Sequence, residues 1–168
     1  DQGSDWRGDD QPPEELNRIV EGGNYGWPYC FGDRQIDEYN SQTPAGSTTE
    51  QYCALTEAPA INYQAHSSPI GMVYYTADQF PADYQGDAFV AMRGSWNREA
   101  VTGYKIVHVQ FDNGQPVAID DFITGWLMED GTQQFGRVAG LAVLPDGALL
   151  ISEDANGVIY RVTYTGDD

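Results

Sequence analysis

The chain has 168 residues, 26 of them acidic and 8 basic, for a formal net charge of −18. A field of that sign repels nucleic acid and anionic membrane surfaces, so neither is expected as a partner, and the surplus reads as a solvated surface. A hydrophobic content of 40% suffices for one domain with a real core, no apolar run is long enough to cross a bilayer, and any export signal is expected upstream of Asp1.

Residues 1–15 read as a polar loop. Its acidic pairs Asp9-Asp10 and Glu14-Glu15 are expected in water, like Asp120-Asp121 and Asp167-Asp168 later on. Residues 16–20 (Leu-Asn-Arg-Ile-Val) form a brief strand stopped by Gly22-Gly23, and Asn24-Tyr25-Gly26-Trp27-Pro28-Tyr29 makes a rigid, aromatic-packed loop. Residues 31–58 are a long polar excursion flanked by Cys30 and Cys53. A disulfide would hold this stretch, which has little core of its own, and would add about 3 kcal/mol in an oxidising compartment. Two unrelated buried thiols are the alternative.

From Pro69 onward short runs of Val, Ile, Tyr and Phe alternate with Gly, Asp and Asn turns, and no period of 3.6 is sustained. Strands are expected over 71–75, 86–91, 103–111 and 122–125. The order restarts over 140–144, 147–152 and 157–164. A four-strand unit recurring after roughly 70 residues points to propeller blades. An antiparallel sandwich with similar turns is the alternative. The fold class is thus all-β: a partial β-propeller of about two to three blades with a long disulfide-pinned loop. Residues 1–64 would be a blade remnant plus that loop, 65–125 a complete blade and 136–164 three strands of a closing blade. So few blades cannot close a ring, so missing amino-terminal blades or self-association must protect the open edges.

Arg93, Arg98 and Arg137 fall at the ends of expected inner strands, in Gly-, Ser- and Asn-rich loops. Guanidinium groups bind carboxylates through paired hydrogen bonds, so a cluster of them would suit an anionic ligand; each could instead pair with a local acid such as Glu99, Glu129 or Asp130. In Arg93-Gly94-Ser95-Trp96-Asn97-Arg98 the Trp96 ring and Asn97 amide could line a site, or the ring could be core. His66 stands before the first complete blade and is a candidate base or a structural histidine; His108, between Val107 and Val109, is structural. Asp1, Asp5, Asp9 and Asp10 lack the spacing of an EF-hand. No nucleophile elbow, phosphate loop, dinucleotide fingerprint or zinc motif is present.

Several longer strings carry more information. Asp1-Gln2-Gly3-Ser4, Glu21-Gly22-Gly23-Asn24-Tyr25-Gly26-Trp27-Pro28, Ala65-His66-Ser67-Ser68-Pro69, Gly94-Ser95-Trp96-Asn97-Arg98, Gly136-Arg137 and Leu144-Pro145-Asp146-Gly147-Ala148 together resemble the soluble glucose and sorbosone dehydrogenases, nearest the sorbosone-type branch. The resemblance implies a six-bladed propeller carrying pyrroloquinoline quinone (PQQ) and calcium, of which this chain is the carboxyl-terminal part. It implies that the backbone carbonyls of Gly3 and Ser4 ligate calcium. It also implies that Arg137, with Arg93 or Arg98, holds the carboxylates of the quinone, and that a small sugar or aldose is oxidised in a secreted or periplasmic setting. The family's catalytic histidine and an Arg-Asn cofactor pair belong to earlier blades, so the chain alone is expected to be inactive. A non-catalytic assembly module and a calcium-dependent lactonase are the rival readings.

Overall fold

A computed structural model describes residues 1–128, 131 and 133–166. The protein is all-β apart from two short helical turns: α1 (Thr49–Cys53) and a 3-10 turn (Ala82–Tyr84). Strands β1 (Glu14–Leu16) and β4 (Ile61–Tyr63) pair antiparallel, and between them β2 (Cys30–Phe31) and β3 (Gln35–Ile36) form a small hairpin. A four-stranded antiparallel meander follows: β5 (Pro69–Tyr74), β6 (Ala88–Met92), β7 (Lys105–Asp112) and β8 (Gln115–Ile123). The last sheet has three strands, β9 (Val138–Val143), β10 (Leu149–Glu153) and β11 (Val158–Val162).

Strand alternation explains how the sheets stack. Side chains at odd positions of β6, Phe89 and Ala91, join Tyr75, Phe80, Ile106, Trp126, Val138, Leu149 and Ile151 in the core between the meander and the last sheet. Ala88, Val90 and Met92, of even number, point the other way and pack with Val107, Val109, Leu16, Tyr63 and Ile119. Both faces of β6 are therefore covered, which is why Ala-Phe-Val-Ala-Met is continuously apolar rather than alternating. The inner strands β5 and β9 touch so closely that a Cβ on Gly71 would lie under 3.0 Å from the Ala139 carbonyl oxygen. Sheets stacked face to face, with first strands adjacent, are propeller blades; the protein is a partial propeller.

The structure corrects several boundaries. The outer strand of the meander runs from Gln115, not from 122, because Asn113 (φ 50°) and Gly114 (φ 76°) form a two-residue hairpin turn. Pro116 is tolerated there because β8 is an edge strand. At the amino-terminal end the strand lies at 14–16 rather than 16–20, and Ile19 and Val20 are exposed. Glu14 and Glu15 are buried, not solvated. Helix α1 was not expected, although Thr48 and Gln51 form a capping box that is legible in the sequence. Cys30 and Cys53 do form a disulfide, which settles the choice against separate thiols. Asp167 and Asp168 lie outside the described residues.

Candidate functional site

Loops 64–68, 93–104 and 154–157 and the described parts of 124–137 all leave the sheets at one end, because β5, β7, β9 and β11 start there and β6, β8 and β10 finish there. The pairing of Glu14 with Tyr63 brings residues 1–13 to the same end. Every residue singled out from the sequence as a ligand or base thus reaches one rim, though not with the same freedom.

Glu14, only 1% exposed, is the first tie. Its carboxylate accepts the Gly3 N–H at 3.0 Å and the Ser68 N–H at 2.8 Å. Burial pushes this carboxyl above the usual carboxylate range, and the two N–H bonds draw it down only in part. Ser67 and Ser68 pass the connection on, since their carbonyls accept from the N–H groups of Gly94 (3.0 Å) and Arg93 (2.9 Å). The carbonyls of Gly94 and Arg93 in turn accept from Arg137 Nη2 (2.6 Å) and Nε (3.4 Å), while the Tyr104 ring lies under the guanidinium at 5.5 Å. Finally, the Arg137 N–H donates to Glu153 Oε1 at 2.7 Å. Glu153 is as buried as Glu14, and burial raises its carboxyl; the N–H groups of Arg137, Ala155 and Asn156 and the Asn156 side chain outweigh that and hold it below the ordinary value. A continuous hydrogen-bonded path therefore runs from Gly3 to Arg137.

Charge separates the three arginines. Arg93 Nη1 pairs with Asp154 at 2.6 Å, and Arg98, nearly buried, is spent on the Asp9 carbonyl (3.0 Å) and the Asp10 carboxylate (3.4 Å). Their partners are not the acids expected: Glu99 only donates its N–H to Asp9, and Glu129 and Asp130 lie outside the described residues. Half-buried Arg137 has no carboxylate within 4.0 Å among the described residues, a distinction shared only with the exposed Arg18. In a protein of net charge −18, a guanidinium fixed by two carbonyls and without a carboxylate partner among the described residues is a candidate place for an anion.

His66 is buried, and its Nε2–H donates to the Gly8 carbonyl at 2.8 Å. His108 is tied to Asp87 at 2.7 Å. Trp96 is not core but 60% exposed, and Asn97 is half-buried with its amide oxygen buried and without a hydrogen-bond partner among the described residues. Among the described residues neither the Gly3 nor the Ser4 carbonyl accepts a hydrogen bond, so both oxygens remain available to a hard cation. Sequence reasoning missed Glu14, Glu153 and Trp6. Only Trp6, two residues after Ser4, carried a visible signal, as an aromatic in an otherwise polar loop.

Comparison with known proteins agrees with this architecture. An uncharacterized protein of Borreliella burgdorferi is 35% identical over 98% of this chain and 42% of its own length. The pyrroloquinoline quinone-dependent pyranose dehydrogenase of Coprinopsis cinerea is 25% identical, covering 82% of this chain and 22% of that protein. A calcium structure of the Trichoderma reesei carbohydrate-active enzyme of family AA12 superposes with a TM-score of 0.72 at 26% identity, over 92% of this chain and 44% of that one. The holo PQQ domain of Coprinopsis cinerea pyranose dehydrogenase, at 22% identity and a TM-score of 0.62 over 83% of this chain and 40% of that one, bears on the fold alone. The chain spans less than half the length of these relatives. A family model described as TrAA12-like matches residues 8–165, and the chain belongs to that family.

Proposed function

We propose that this chain is the carboxyl-terminal portion of a single propeller domain in a PQQ- and calcium-dependent oxidoreductase acting on a sugar or aldose. The observation that carries the reading is Arg137: an oriented guanidinium without a carboxylate partner among the described residues, wired through Glu14 and Ser68 to the Gly3–Ser4 turn. PQQ, a quinone bearing three carboxylates, accepts two electrons from a sugar carbon when bound. Arg137, with Arg93 beside it, would hold a carboxylate of that group, and the Gly3 and Ser4 carbonyls would contribute to a calcium site. Tyr104 and Glu153 keep Arg137 in place rather than touching the ligand. Both histidines are tied through Nε2, to Gly8 and to Asp87, which supports a structural role for them and a catalytic base supplied by another part of the polypeptide.

The open face of β5 supports earlier blades as neighbours. Ile70, Met72 and Tyr74 are exposed along it, beside the core that Leu16 and Tyr63 only partly cover. The Cys30–Cys53 disulfide suits an oxidising, secreted or periplasmic setting. A lactonase would need side-chain carboxylate and amide ligands converging on calcium, and the lack of any metal-holding group of three His, Cys, Asp or Glu among the described residues gives that reading no support. The test is dye-linked oxidation of an aldose panel by the intact protein supplied with PQQ and calcium. Activity that requires both, and falls at least about a hundredfold in Arg137→Ala, is expected from the loss of a charged contact. Absence of turnover across the panel, or an unaffected variant, rejects the reading and leaves a non-catalytic assembly module.

A further inference from the structure

The rim carries a feature that neither the cofactor contacts nor the core explains. Trp6 and Trp96 are 70% and 60% exposed, and their rings meet at 5.1 Å with an interplanar angle of 87°. Two large apolar rings left in water and set at right angles form a corner with open faces, where loose side chains would collapse onto the surface.

The corner is rigid on both sides. Trp6 is held at φ 63°, a left-handed conformation that a bulky residue keeps only when its surroundings impose it. Next to it, Arg7 grips the Asp37 carboxylate with Nε (3.1 Å) and Nη2 (3.2 Å), and its guanidinium covers the Tyr39 ring. On the other side Asp9 accepts the Glu99 N–H at 3.1 Å and the Arg98 Nε at its carbonyl, locking loop 93–104 against loop 4–10. Pre-organisation of this kind lowers the cost of binding. Position also matters. Trp96 follows by two residues Gly94, whose carbonyl holds Arg137, so its Cα lies within about 7.6 Å of that glycine's.

The surrounding chemistry narrows the ligand. Along the chain Asp5 adjoins Trp6 and Glu99 lies three residues past Trp96, while Arg7 and Arg98 are already paired with Asp37, Asp9 and Asp10, so these loops favour hydroxyl donors over an anion. A pyranose ring offers a C–H face to one indole and hydroxyls to the carboxylates.

We propose that Trp6 and Trp96 form a subsite for a second pyranose unit of an oligosaccharide, beyond the unit presented to the Gly3–Arg137 end. The choice of a sugar rests on the oxidoreductase reading above, but the test does not need turnover. The intact protein, without added quinone or electron acceptor, is titrated by calorimetry with β-1,4-linked tetrasaccharides of glucose, xylose and mannose and with the matching monosaccharides. At least one tetrasaccharide is expected to bind about tenfold more tightly than its monosaccharide, with Trp6→Ala and Trp96→Ala each abolishing the difference and Trp96→Phe keeping part of it. Saturable change in tryptophan fluorescence should accompany binding and vanish in the double variant. The inference is overturned if no tetrasaccharide binds more tightly than its monosaccharide, if variants with unchanged melting temperature retain the difference, or if choline binds the corner in place of sugar. Failure of PQQ-dependent oxidation with the tetrasaccharide preference intact would remove the redox reading alone.

Discussion

Glu153→Gln tests the support beneath Arg137 with a nearly isosteric change. The carboxylate receives four donors: Oε1 accepts the N–H groups of Arg137 and Ala155, both at 2.7 Å, and Oε2 accepts the Asn156 N–H at 3.1 Å and Nδ2 at 2.9 Å. Glutamine has one oxygen to offer, so whichever way its amide turns, one pair of donors faces an NH2. If the Asn156 pair is displaced, its Nδ2 keeps the Phe135 carbonyl at 2.6 Å and its main-chain N–H is orphaned. Bonds to a charged acceptor contribute about 1.5–3 kcal/mol each, and removing a buried charge offsets part of the loss, so a destabilisation of about 2–4 kcal/mol is expected near neutral pH. That is a large share of the roughly 5–15 kcal/mol that holds a domain together. Urea unfolding followed by tryptophan fluorescence reads it directly. Because the folded carboxyl lies below its ordinary value of 4.5, its contribution is complete above that pH and is lost as pH falls through the folded value. The variant has nothing to titrate there, so the gap between parent and variant should close on acidification below about pH 4.5. A difference under about 0.5 kcal/mol at neutral pH, or a gap that stays constant into acid, would refute the assignment.

Cys30→Ser with Cys53→Ser removes a cross-link between residues 23 apart and should cost about 3 kcal/mol, lowering the melting temperature by roughly 6–12 °C; reductant should reproduce the shift in the parent and do nothing to the variant. Tyr75→Phe deletes a buried hydroxyl that donates to the Gly147 carbonyl and accepts from the Phe80 N–H, both at 2.9 Å, and a loss of about 2–4 kcal/mol is expected in chemical unfolding. Gly71→Ala drives a methyl against the Ala139 carbonyl and should force the inner strands apart, at about 1–3 kcal/mol, with faster amide exchange in both β5 and β9; unchanged exchange would argue against their close approach.

The sequence by itself carried the all-β class, the recurring meander and the set of loops that face one end. These depend on local signals: period-two alternation, Gly and Asn at turns, and long motif strings such as those around Gly3 and Arg137. Boundaries slipped where a local signal was weak or overridden. The outer strand β8, polar and bearing Pro116, hid behind an Asn113-Gly114 turn that a closer reading of turn chemistry would have caught. Glu14 and Glu15 looked solvated because an acidic side chain is ordinarily costly to bury.

Only the tertiary structure decided which charges are paired among the described residues. Arg93, Arg98 and Arg137 are equivalent in sequence, each an arginine among glycines and polar residues. Ion pairing is a contact between groups distant along the chain, and Asp154 lies 61 residues from Arg93 while Asp10 lies 88 from Arg98. The same holds for Glu14, which reaches Ser68 across 54 residues and Gly3 across 11, and for the tryptophan corner. Folding brings those partners together through packing of the blades, so the sequence could place three arginines at strand ends, whereas packing alone left Arg137 without a carboxylate partner among the described residues.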